Sequence, residues 1–256
     1  MKNIYKPFGI IAIMAIICLS FICCGGGSTD DGIPSINEHG ISELSGPEYD
    51  LGGAVFKGTK EDAWVLYTEA ILSLIGPASS FGVTYDYSYA GSDVLRKVEK
   101  NTYDLGSKEW RDMLIPYGVS NLNGRISYEY SDDPYWVISS SDISYDYNSN
   151  NDNYSFIPGR PDNWVKGKVK AKGDSKIAKI RDSYSTELNA AYSYAIAYKK
   201  SNTEGAKFIL TYGISISGEK GEVSFYGTLK VYNNNGIEIY SFDINSDDIE
   251  GYTIKI

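Results

Sequence analysis

The chain has 256 residues, with 24 basic side chains against 33 acidic ones and a formal charge of −9. That balance excludes nucleic acid or an anionic bilayer as the main partner of the whole surface, and a content of 42 % hydrophobic and 14 % aromatic residues excludes a disordered chain. Twenty-three tyrosines against eight phenylalanines suit strands with one packed and one wet face, because tyrosine joins an apolar ring to a polar tip.

The first element in chain order is a leader. Lys2 and Lys6 open it, residues 8–22 form an apolar run, and Cys23-Cys24 is followed at once by Gly25-Gly26-Gly27-Ser28-Thr29. The run is shorter than the roughly 20 residues that a spanning helix needs, and Pro7 and Gly9 lie near its start. These residues resemble a bacterial lipoprotein signal peptide. The resemblance covers the leader alone, and its motif is the lipobox, in which a small residue precedes the cysteine that receives diacylglycerol. Two registers fit. With Cys24 as acceptor the box reads Phe21-Ile22-Cys23-Cys24 and the small Cys23 stands at the cleavage edge; with Cys23 as acceptor the bulky Ile22 stands there. The first is preferred, and Phe21 in place of the common leucine makes the box a relaxed one. A plain secretory peptide and an uncleaved anchor are the alternatives.

The resemblance implies cleavage that removes residues 1–23, lipidation of Cys24 and attachment to a membrane of the bacterial envelope. Gly25, where an inner-membrane retention signal has aspartate, points to the outer membrane. Each buried acyl methylene contributes about 0.8 kcal/mol to such an anchor. Residues 24–50 then read as the lipidated cysteine and a flexible tether, rich in Gly, Ser, Asp and Glu and without helical or strand period. Residues 51–256 read as a single β-rich domain, long enough to bury a sizeable core.

Cysteine and histidine limit the chemistry of that domain. Cys18 and Cys23 leave with the leader, Cys24 carries the lipid, and the sole histidine, His39, lies in the tether. The domain therefore has no disulfide, thiolate nucleophile, Ser-His-Asp arrangement or Cys/His zinc site. The adjacent carboxylates Asp132-Asp133 and Asp247-Asp248 do not oppose each other as a glycosidase pair does, since neighbours on a strand point to opposite faces. No catalytic role and no cofactor are expected.

A helix is predicted over residues 60–75, with Thr59 as N-cap, Glu61 and Asp62 in the first turn and Gly76-Pro77 ending it. Trp64, Tyr67, Ile71 and Leu74 fall on one face, which packs on a sheet. Weaker helical segments lie at 92–100 and 108–114. From residue 119 the period changes to two. Strands are predicted over 119–130 and 135–147, joined by Ser131-Asp132-Asp133-Pro134, then an irregular loop over 148–161. A meander follows over 164–172, 176–182, 187–198, 206–217, 222–232, 237–244 and 252–256, with turns at 173–174, 201–205, 218–221 and 233–236, where Gly and Asn take positive φ. Alternation over 188–198 favours a strand over a helix. Long antiparallel strands with short turns give a mainly β (α+β) fold, a curved sheet or half-barrel with one amphipathic helix packed on it.

Three polar or aromatic patterns stand out. Asp146, Asn148, Asn150 and Asp152 alternate as in a calcium loop, but Asn151 stands where the turn glycine belongs and Ile157 where the closing glutamate belongs, so no metal is expected. The acidic group Asp243, Asp247, Asp248 and Glu250 has the same reading. Tyr85, Tyr87 and Tyr89, Tyr128 and Tyr130, and Tyr145 and Tyr147 form ladders that are core if buried and sugar or apolar platforms if exposed; Trp110, Trp136 and Trp164 read as packing anchors.

The sharpest polar feature is Lys166, Lys168, Lys170 and Lys172, which alternate with Val165, Gly167, Val169 and Ala171, so that a strand projects all four ammonium groups from one face. Residues 160–181 carry eight basic side chains against two acidic ones in an otherwise acidic chain. One reading is a docking stripe for an anionic envelope component or acidic protein surface. The other is an edge strand that uses lysine to block pairing. The function expected is a binding or interaction module at the envelope, and its alternative a carrier that shelters an apolar ligand in a half-barrel under the helix.

Overall fold

The computed structural model describes residues 43–46, 48–74, 100–104, 112, 114–132, 135–153, 155, 157, 159–180, 183–217 and 222–245. One helix, α1 (Lys60–Leu72), packs on a sheet of eight strands: β1 (Lys100–Asp104), β2 (Tyr117–Asp132), β3 (Tyr135–Asp152), β4 (Trp164–Ile180), β5 (Ser183–Lys199), β6 (Gly205–Ser217), β7 (Glu222–Tyr232) and β8 (Glu238–Asn245). Each strand pairs antiparallel with its sequence neighbour, in the order β1 to β8, and among the described residues the sheet does not close. The expected curved meander with one packed helix is the fold. Its curvature has a visible cause in β2, where register shifts between Tyr117 and Val119 and between Ser120 and Asn123 coincide with positive φ at Gly118, Asn121 and Gly124; extra residues in one strand bend it and increase its twist.

The helix begins where its sequence says. Thr59 Oγ1 accepts from the Asp62 amide at 3.3 Å and Asp62 Oδ2 accepts from the Thr59 amide at 2.8 Å, a reciprocal capping box. Trp64, Tyr67, Ile71 and Leu74 are all buried, in one core with Tyr194, Phe208, Leu210 and Tyr212 of the sheet. Rings meet across the interface: Tyr67 lies 5.7 Å from Phe208, and Trp64 5.3 Å from Phe242. Tyrosine hydroxyls tie the helix along its length. Tyr240 Oη donates to the Gly58 carbonyl, Tyr198 Oη to Glu69, and Tyr147 Oη lies 2.9 Å from the Ser73 carbonyl oxygen.

Two predicted breaks are not breaks. Gly173-Asp174, read as a turn between two strands, lies within β4, which runs unbroken from Trp164 to Ile180 and is paired on both sides at these two residues. A Cβ at Gly173 would come within 2.6 Å of the Ala190 side chain on β5, so this glycine permits close packing rather than reversal. Residues 148–152, read as the start of a loop, continue β3 to Asp152. Residues 218–221, 252–256, most of 108–114 and all of 75–99 lie outside the described residues.

Candidate functional site

The sheet has two covered faces. Positions of β5 that point to the helix are large (Tyr192, Tyr194, Ile196 and Tyr198), and those between them are small: Ala191, Ser193, Ala195 and Ala197, every one buried. The small row forms a shallow trough on the face away from α1. What lies over it is the chain's own strap, residues 43–46 and 48–55. The Leu44 amide donates to Ser193 Oγ at 3.0 Å, and Leu51 and Ala54 form a second, separate apolar cluster with Trp164 and Ala197. Residues 43–46 and 48–50, part of the segment whose composition reads as tether, lie against the sheet.

The four candidate lysines stand beside this trough. Alternation holds: Val165, Gly167, Val169 and Ala171 are buried on the helix side, while Lys166, Lys168, Lys170 and Lys172 are partly or fully exposed on the strap side. The edge-strand reading is overturned, because β4 is an interior strand, paired with β5 over its whole length and with β3 from Lys166 to Ala178. The ridge is partly engaged by the chain itself. Lys166 Nζ sits 4.8 Å above the Trp164 ring, Lys168 Nζ is 3.6 Å from Glu48 of the strap, and Lys172 Nζ is 3.9 Å from Asp142 of β3. Lys170, between Ser144 and Ser193 in the ladder, has no carboxylate partner among the described residues.

A second set of cations holds the rest of the strap. Lys230 of β7 pairs with Glu43 at 2.9 Å, and this carboxylate raises the lysine's pKa. Asp50 accepts from the Gly52 amide and from Asn234, and these bonds, with the charges of Lys207 and Lys199 nearby, hold its carboxyl below the ordinary carboxylate value. Asn234 Oδ1 accepts in turn from the Leu51 amide. In both pairs the carboxylate is well exposed, 42 % for Glu43 and 77 % for Glu48, where such contacts contribute about 0.2–1 kcal/mol and are screened by salt. Between residues 43–46 and the sheet side chains Lys207, Ile209 and Tyr232 lies a half-open cavity of about 240 Å³.

The other candidates are spent in the fold or lie outside the described residues. Asp146 accepts from Asn121 Nδ2 at 2.6 Å and Asp152 from Tyr147 Oη at 2.9 Å, both on β3 rather than on a loop. Among the described residues no group of three or more His, Cys, Asp or Glu is placed to hold a metal ion. Tyr145 and Tyr147 are buried core, and Trp164 anchors the strap. Cys24, Tyr85, Tyr87, Tyr89, Trp110, Asp247, Asp248 and Glu250 lie outside the described residues, as do the side chains of Tyr128 and Tyr130. No helix among the described residues is long and apolar enough to cross a membrane.

The strap is the element that sequence reasoning missed, although β5 carried its signal: a strand with only small side chains on one face leaves room for something to lie there. Comparison with protein-family models, with curated proteins and with solved structures finds no match to this chain.

Proposed function

We propose that this chain is a lipid-anchored protein of a bacterial envelope, held through Cys24 at the outer membrane, whose β domain is a non-catalytic binding module for an anionic component of that envelope. The observation that supports the docking role is the place of the lysine ridge. Four ammonium groups on an interior strand do not protect an edge, and although three of them meet groups of the chain itself, Lys170 is free of carboxylates among the described residues. The arrangement suits reversible electrostatic attachment, which sets on-rate and selectivity more than tight affinity. The carrier reading has less support, since Trp64, Tyr67 and Ile71 fill the space between α1 and the sheet.

Two measurements test this. Intact mass of the chain expressed with its leader, beside Cys24→Ala, should show loss of residues 1–23 and added acyl chains only in the unchanged protein. Fluorescent polyglutamate should bind the purified domain at low salt, and Lys168→Glu with Lys170→Glu should weaken it tenfold or more. Unchanged binding in the double variant removes the ridge from the site.

A further inference from the structure

The strap and the ridge share a geometry that the docking role alone does not require. Lys168, Ala195, Ile209 and Lys230 are consecutive partners across β4, β5, β6 and β7, so the two lysines mark the ends of one row. Three strand spacings put them about 14 Å apart. Glu43 and Glu48, their partners, are separated by five residue steps, about 16 Å in extended chain. The row is thus a two-point receptor for an extended segment with carboxylates five positions apart, and its floor, Ser193, Ala195 and Ile209, is flat enough for the backbone to pass.

The two halves of the strap are held unequally. Residues 49–56 are anchored by buried Leu51 and Ala54, by the Leu51–Asn234 bond and by a backbone bond from Val55 to the Thr203 carbonyl. Residues 43–46 and 48 have, among the described residues, the Leu44–Ser193 bond and two exposed ion pairs, and residues 43–46 line the cavity instead of filling it. A cover so held separates from the row without disturbing either apolar cluster.

We infer that residues 43–46, with Glu48, are a displaceable cover over a groove that takes an extended acidic segment of a partner protein, with two carboxylates spaced as Glu43 and Glu48 are. This rests on the reading of the lysine face as a docking surface, names its partner class and adds self-competition to it. The cover sets a threshold: a partner segment must offer more than the strap's own two ion pairs and one backbone bond.

The test uses the domain from residue 24 and a labelled peptide of residues 41–50, Ile-Ser-Glu-Leu-Ser-Gly-Pro-Glu-Tyr-Asp. Glu43→Lys with Glu48→Lys repels the cover from Lys230 and Lys168 and should tighten peptide binding at least tenfold; the milder Glu43→Gln with Glu48→Gln should tighten it less. Adding Lys230→Glu to either should abolish the gain. Equal binding by the unchanged and both altered chains, or a gain that survives Lys230→Glu, overturns the proposal, and conversion of the lysine variant to a stable dimer would assign the groove to a second copy instead. Lys230 lies outside the β4 ridge. If polyglutamate binding falls with Lys168→Glu and Lys170→Glu while the Glu43 and Glu48 changes do nothing, the cover fails and the docking surface stands.

Discussion

The two faces of this sheet are made from the same strands and differ in almost everything else. On the helix side the alternate residues are Tyr, Ile, Phe and Leu, joined to α1 in a continuous core. On the strap side they are mostly Lys, Ala, Ser and Thr, with Trp164 and Ile209 among them, and the covering segment is held by a small apolar cluster and by ion pairs near water. Burial of large side chains yields about 1.5–3 kcal/mol each, several times the worth of an exposed ion pair. Most of the fold's stability therefore resides on the helix side, and the strap side contributes the smaller share.

The largest expected effect concerns the helix-side face at high pH. Burial raises the pKa values of Tyr67, Tyr145 and Tyr212 well above 10.0, and that of Tyr194 to about 12. An unfolded chain ionises these groups near 10, so their contribution is complete below that pH and is lost as pH rises from there through the raised values. Absorbance at 295 nm and far-ultraviolet dichroism should show the late-titrating tyrosines ionising together with unfolding. Titration of all tyrosines near 10 in a folded chain would break the picture of a dry tyrosine core.

Adjacent residues on β6 give a smaller, sharper comparison. Phe208 points to the helix and Ile209 to the strap, and both are buried. Phe208→Ala should cost about 3–5 kcal/mol, and Ile209→Ala about 2 kcal/mol, the low end of its range, because Ile209 already borders a cavity. Denaturant midpoints measure both, and equal losses would erase the distinction between the faces. The smallest effect lies within the helix-side core. Tyr147 Oη has Ser73, Asp152 and Ser155 within hydrogen-bond distance, whereas the buried Tyr67 Oη has no partner among the described residues. Tyr147→Phe should lower stability by about 1–2 kcal/mol, and Tyr67→Phe should leave it unchanged or raise it.

Much of this was legible because local chemistry and tertiary structure agree. The Thr59 cap, the helix stripe, the strand at 188–198 and the turns at 201–205 and 233–236 each carry their own signal, and each occurs. Gly173-Asp174 misled because a glycine needed for contact with Ala190 has the same composition as one needed for a turn. The lysine alternation correctly put four cations on one face, but strand position within the sheet is a property of pairing, and an interior strand looks like an edge one when read alone. The strap was illegible from its own residues, whose Gly, Ser and Pro content is that of a linker. Only its complement, the small row on β5, reports it.

Glu43 meets a lysine 187 positions further along the chain, and every strand between them pairs with its immediate predecessor. Hairpins of that kind zip from turn to turn with short loops to close, but the strap has nowhere to lie until β4, β5, β6 and β7 stand side by side. The earliest described residues to leave the ribosome are thus expected to settle last. A probe placed at Leu44 would mark the moment at which the whole sheet is finished.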